Sequence, residues 1–173
     1  MKKVIWLVLA IAILTCSAYA QDAPRAEMSV GYSFLRLGGT GGVNQNGGNV
    51  SIAGNINSWL GIVGDVGGYH SSPVGGSLNT YTFLVGPRFS LRGERVTPFA
   101  QVLFGGAHLT AGAGGFSTSV TPFAISVGGG IDLRISQHVA LRPQLDYLAL
   151  RSGGQTGNVG RASLGLVFRF GGR

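Results

Sequence analysis

The side chains able to do chemistry are few and widely spaced. Three histidines (His70, His108 and His138) and six acids (Asp22, Glu27, Asp65, Glu94, Asp132 and Asp146) are all that the 173 residues offer for proton transfer near neutral pH. His70 is followed by Ser71 and Ser72, and His108 precedes Thr110, so hydroxyls lie close to two imidazoles. A hydrolytic site also needs an acid on the same face to orient the imidazole. The acids here fall mostly on the opposite face of their segments or in turns, so no catalytic residue is assigned. Three scattered histidines and a single cysteine, Cys16, give no metal-ligand spacing. Gly112-x-Gly114-Gly115 and Gly128-Gly129-Gly130 have the glycine density of a phosphate loop, but no helix pattern follows either one to supply an anion-binding N-terminus. Neither a cofactor nor a metal is expected. What remains is ionic. Beyond Lys3 every basic residue is an arginine, placed singly, and an arginine fork pairs bidentately with a carboxylate.

The elements that must position these groups begin after a leader. Met1 to Ala20 has a positive start at Lys2 and Lys3, an apolar run from Val4 to Leu14, and a small-x-small site at Ala18-Tyr19-Ala20. That is the pattern of a cleaved secretory signal. The run is short for a membrane anchor of ~20 residues, and Ile13-Leu14-Thr15 is a poor lipidation motif before Cys16. Cleavage leaves one exported domain, residues 21–173, without cysteine. The formal net charge of +7 raises a nucleic-acid reading. The arginines are not clustered, so no nucleic-acid partner is expected. Nothing after Ala20 approaches the apolar length of a membrane-spanning helix.

Eight segments alternate apolar and polar residues, the period of a strand with two unlike faces. They run from about Ala26 to Leu37, Asn49 to Asn57, Leu60 to Tyr69, Thr80 to Arg92, Thr97 to Thr110, Thr121 to Ile135, Val139 to Arg151, and Asn158 to Phe170. The fourth is the clearest. Tyr81, Phe83, Val85, Phe89 and Leu91 alternate with Thr82, Gly86, Arg88, Ser90 and Arg92. Leu103 and Val167 blur the pattern in their segments. The links alternate too. Gly38 to Gly48, Ser71 to Asn79, Ala111 to Val120 and Ser152 to Gly157 read as longer polar loops. The links at Ser58-Trp59, Gly93-Glu94-Arg95 and Gln137-His138 read as tight turns.

Alternation alone does not say which face points in. A soluble, lipocalin-like barrel would put Phe83, Val85, Ile125 and Val127 inside, around a ligand. A transmembrane barrel would put them in lipid. Two features favour lipid. The polar face is dominated by Gly, Ser, Thr and Ala, with isolated charges able to neutralise one another inside a narrow lumen. Trp59, Phe89, Phe99, Phe168 and Phe170 gather at the tight-turn end, as an interfacial girdle would. The expected fold is an eight-stranded antiparallel up-and-down transmembrane β-barrel, with both termini on the tight-turn, periplasmic side.

Ser163-x-Gly165-x-x-Phe168-x-Phe170 resembles the C-terminal assembly signal of bacterial outer-membrane barrels, which the barrel-assembly machinery recognises. That family usually ends at the second aromatic, whereas Gly171-Gly172-Arg173 follow here. The chain as a whole, with "VGYSFLR" in its first segment and "VALRPQLDYLALR" in its seventh, resembles the small OmpA-like and OmpX-like outer-membrane barrels. The resemblance implies a stand-alone, monomeric, non-enzymatic barrel in the outer membrane of a Gram-negative-type bacterium. Lipid and lipopolysaccharide would be its surroundings.

An eight-stranded barrel is just wide enough to be filled by side chains. Buried charges must then pair, because an unpaired one costs on the order of several kcal/mol. A turn at Gln137 that pairs Ser136 with His138 sets Asp132 opposite Arg142. Glu27, Asp65, Arg88, Asp146 and Arg169 point to the same side of the wall. The expectation is a lumenal salt-bridge network of these seven residues that closes the channel and fixes register. The alternative is a narrow gated channel in which the pairs switch. Arg151 and Arg161, flanking the last loop, are expected to reach lipopolysaccharide phosphates.

Overall fold

In the computed structural model, which describes residues 24–38, 42–72, 76–114 and 116–171, nine strands are seen. They are β1 (Ala26–Leu37), β2 (Asn44–Asn55), β3 (Leu60–Ser71), β4 (Ser77–Ser90), β5 (Val96–Ala113), β6 (Phe116–Val120), β7 (Phe123–Arg134), β8 (Val139–Ser152) and β9 (Gln155–Phe170). The expected leader, Met1 to Ala20 with Cys16, lies outside the described residues, as do Gly172 and Arg173.

All pairings are antiparallel. Neighbours in sequence pair from β1 to β5, β5 continues to β7, and β7, β8 and β9 follow in order. The ring closes where β1 meets β9, from Ala26↔Phe170 to Leu37↔Val159. β6 and β7 lie on the same side of β5, through Leu109↔Val120 and Gly106↔Phe123. They form one stave interrupted at Thr121-Pro122, where proline has no N–H to give a ladder. The barrel therefore has eight staves, closed and antiparallel, and a closed ring leaves no unpaired edge at membrane depth.

The alternating residues divide cleanly between the two faces. Phe83, Val85 and Val127 are 57%, 56% and 52% exposed and point away from the axis, while Thr82, Leu84 and Ser126 beside them are buried. The apolar residues thus form the outer belt, which rules out the soluble barrel with a greasy interior. The 12 residues of β1 exceed the ~9–11 that a tilted strand needs to cross a bilayer. The residues that blurred the alternation face inward. Leu103 and Val167 are fully buried. Leu103 joins Leu35, Leu84, Ala107, Ala124, Leu148 and Val159 in an inward apolar cluster. The lumen is therefore not polar throughout.

The links differ from expectation. β2 begins at Asn44, β4 at Ser77 and β9 at Gln155, each earlier than the alternation suggests. Most of the expected loop Ala111 to Val120 is a hairpin of β5 with β6. The link after β8 is a two-residue turn, Gly153-Gly154, with both φ angles positive at 56° and 81°. Such a turn favours glycine and matches the twist of the flanking strands. The physical reason is common to all four places. Beyond the lipid both faces meet water, so a strand there need not alternate, and all five residues of β6 are exposed. At the other end the turns are capped by side chains. Asn57 Oδ1 accepts the N–H groups of Trp59 (3.0 Å) and Leu60 (2.7 Å). Ser136 Oγ accepts those of His138 (3.3 Å) and Val139 (3.1 Å).

Candidate functional site: the lumenal charge network

Strand parity aims the charges inward. Glu27, Asp65, Arg88, Asp132, Arg142, Asp146 and Arg169 are each at most 8% exposed. The β7–β8 register runs through Gly130↔Gln144 and Leu133↔Leu141, which puts Asp132 across from Arg142. Arg142 grips it as a fork, Nε to Oδ1 at 2.6 Å and Nη2 to Oδ2 at 2.7 Å. The same Nη2 donates to Glu27 Oε2 at 3.2 Å. Glu27 also accepts from Arg92 Nη1 at 2.5 Å and lies 3.7 Å from Arg88 Nη1. Arg169 Nη2 lies 3.5 Å from Asp132 Oδ2. This group sits toward the end that carries Ala26 and Phe170, here termed the terminal end.

A second group is centred on Arg161. Its Nε donates to Asp146 Oδ2 at 2.9 Å, and its Nη1 to Asp65 Oδ1 at 2.7 Å and to Tyr69 at 3.3 Å. Gln144 donates to Asp146 and Asn49 to Asp65, at 2.8 and 2.9 Å. Gln101 joins the two groups. Its Oε1 accepts from Arg88 Nε and Nη2 at 3.1 and 2.9 Å, and its Nε2 donates to Asp146 Oδ1 at 3.2 Å. A single bonded network thus spans the lumen at two heights. Space for it comes partly from Gly128, where a Cβ would collide with the Asp146 carboxylate.

Two expected placements are overturned. Arg161 is not at the rim with Arg151; it is 2% exposed and bound to two lumenal acids. β9 starts at Gln155, so Arg161 is six residues past the strand's start, on the same parity as Ser163 and Gly165. Phe99 does not belong to the outer girdle. It is 7% exposed, and the guanidinium carbons of Arg88 and Arg142 lie 4.6 and 4.7 Å from its ring centroid. That is cation–π range. Residues not singled out from the sequence are Arg92, Tyr69 and Gln101. Arg92 and Gln101 share inward parity with Arg88 and Phe99, and that parity was the available signal.

The other sites lie as follows. Arg151 is exposed at the far end of β8, opposite Thr156, and Arg36 is exposed at the far end of β1. Ser163 hydrogen-bonds Ser33 at 2.8 Å inside the wall, and Gly165 faces Gly31 across the seam. Phe168 and Phe170 point outward, as do Trp59 and Phe89, whose rings stack at 6.0 Å. His70 bonds Asn79 and Ser72, and His108 bonds Thr121; no carboxylate is among these partners. Among the described residues no three His, Cys, Asp or Glu side chains are grouped to hold a metal.

Solved structures of similar fold are small barrels. Neisserial surface protein A aligns with a TM-score of 0.73 at 14% identity, covering 84% of this chain and 97% of that one. Ail, the attachment invasion locus protein of Yersinia pestis, aligns at 0.64 and 20% identity, covering 86% and 99%. The N-terminal barrel of Pseudomonas aeruginosa OprF aligns at 0.60 and 13%, covering 86% and 100%. No curated protein matches the chain in sequence. Residues 6–170 match the family model described as the outer membrane protein beta-barrel domain. The chain belongs to that family, and its place is the bacterial outer membrane.

Proposed function

We propose that this barrel is a non-enzymatic structural or surface-interaction protein whose lumen is sealed by its own side chains. The observation that carries this is the bonded network from Glu27 to Asp65, which crosses the interior at two heights. The inward cluster of Leu35, Leu84, Leu103 and Leu148 adds a dry layer. A cavity of only about 10 Å³ lies among Ser29, Asn49, Arg142 and Gln144, roughly the space of one water. An ion crossing the barrel would have to part Arg142 from Asp132 and Arg161 from its two acids. Planar-bilayer recording of the wild type and of Arg142→Ala tests this. Both are expected to be silent. Discrete wild-type openings that Arg142→Ala alters would replace the sealed barrel by the gated channel.

Contact with other molecules then falls to the outer rim and the wall. Arg36 and Arg151 stand exposed at the far ends of β1 and β8, on either side of β9. Guanidinium groups at that height are suited to lipopolysaccharide phosphates. Arg36 takes the place that Arg161 cannot fill. The Ail barrel has been crystallised with the heparin analogue sucrose octasulfate, so a small barrel of this fold can meet a polyanion. Ser163, Gly165, Phe168 and Phe170 on β9 are the proposed contact with the barrel-assembly machinery.

A further inference from the structure

The outer wall has a recess over the far half of β9. The outward residues there are Gly160 and Ala162, both exposed. A Cβ added to Gly160 would meet no atom within 4 Å, so the space above it is open. The recess has walls. Gly160 lies between Arg36 of β1 and Tyr147 of β8, and Ala162 between Phe34 and Leu145. Leu164 closes the lower end along β9. Tyr147 and Leu145 are 52% and 69% exposed. Leu145 stands clear because both its cross-strand neighbours, Ala162 and Gly129, are small. Two other outward glycines offer a contrast. Gly68 is covered by the Tyr81 ring, 3.5 Å from where its Cβ would stand. Gly64 is open, but it is a single gap with Ile52 and Val85 across from it and no cation in its row.

The upper end of the recess is cationic. Arg36 is exposed at the level of Gly160, and Arg151 is exposed opposite Thr156, four residues further along β9. Neither has a carboxylate partner among the described residues. From strand spacing and rise their backbones stand ~16 Å apart, which suits a head with two anionic groups better than a head with one. Gly160 is ten residues from Phe170 along β9. A tilted strand crosses the hydrocarbon in ~9–11 residues, so Gly160 lies where acyl chains give way to head groups. An apolar trough below two unpaired guanidinium groups is complementary to a phosphorylated amphiphile.

We propose that this recess seats one acyl chain of a diphosphorylated glycolipid of the outer leaflet, with its phosphates on Arg36 and Arg151. The proposal rests on the rim contact given above and adds a place for the chain. A chain lying over Gly160 and Ala162 packs against the exposed flanks of Tyr147 and Leu145.

Native mass spectrometry of the refolded barrel, loaded with diphosphoryl lipid A, tests the seat. Wild type is expected to keep one lipid A when detergent is stripped. Gly160→Leu/Ala162→Leu fills the recess with side chains suited to lipid and should keep several-fold less. Gly64→Leu should keep as much as wild type. Arg36→Ala/Arg151→Ala should also keep less. A filled recess that retains lipid A undiminished, or a wild type that retains none, overturns the seat and leaves the rim contact standing. Undiminished retention by the arginine variant removes the rim contact, and the proposal with it. An equal loss in Gly64→Leu would assign the effect to the belt at large and overturn the recess. Phosphatidylglycerol kept as well as lipid A, and lost in the same filled variant, would make the occupant a phospholipid and overturn the glycolipid assignment. The gel shift on heating checks that each variant is folded, and Gly160→Leu alone decides if the double variant is not.

Discussion

Replacing Arg161 by methionine removes the only cation of the inner group while keeping a side chain of similar length. Three hydrogen bonds are lost, to Asp146, Asp65 and Tyr69. Asp65 and Asp146 stay buried, at 3% and 5% exposure, with neutral amides as their remaining partners. Breaking a buried pair from one side costs about 3–5 kcal/mol, because a charge is left without compensation. Here two carboxylates are left facing one interior, so the upper end, about 5 kcal/mol, applies. At about 1.4 kcal/mol per decade this is a folding constant lower by roughly 4 × 10³-fold. Urea titration of refolded protein in lipid vesicles measures it, with the gel-mobility shift on heating as the probe and the linear extrapolation giving the free energy. The triple variant Arg161→Met/Asp65→Asn/Asp146→Asn carries no charge there and should recover most of the loss. A single variant within about 1 kcal/mol of wild type would refute the reasoning. So would a triple variant no more stable than the single one.

Two other outcomes are expected. The Arg36→Ala/Arg151→Ala variant should bind lipopolysaccharide several-fold more weakly than wild type in a vesicle pull-down, with unchanged unfolding, and equal binding would remove the rim contact. Phe170→Ala should slow insertion into vesicles carrying the barrel-assembly machinery while leaving unassisted refolding in detergent nearly unchanged; equal slowing in both would make Phe170 a packing residue rather than a recognition element.

The wall was legible because lipid imposes a period. Phe83 and Val85 must be apolar and Thr82 need not be, so the alternation survives in the chain. The pair Asp132–Arg142 was legible because one tight turn at Gln137 fixes the register of its own hairpin. Arg92 with Glu27 was not, because Arg92 lies just past the end of β4, β4 and β1 are not neighbours, and the contact depends on how the sheet closes. Arg161 was misplaced by a strand boundary. The Gln-Thr-Gly-Asn stretch from Gln155 to Asn158 carries no apolar period, yet its backbone pairs with β8 throughout. Phe99 was grouped by height and type with outward aromatics, although its parity with Gln101 and Leu103 assigns it to the interior.

The meeting of β1 with β9 sets the order in which the molecule can be made. Ala26 and Phe170 are ladder partners, so the chain's first strand waits for its last. Glu27, the acid that three arginines share, rides on that first strand. Until the clasp shuts, Arg88, Arg92 and Arg142 lack their common counter-charge, and β1 and β9 each show a bare edge. A half-shut cylinder therefore lacks one whole ladder and the shared acid, and the lumenal network is complete only once the clasp has shut. Contacts between the extremes of a chain make such a step slow. During that interval the open edges need shelter from neighbouring copies, and a chaperoned insertion route would supply it.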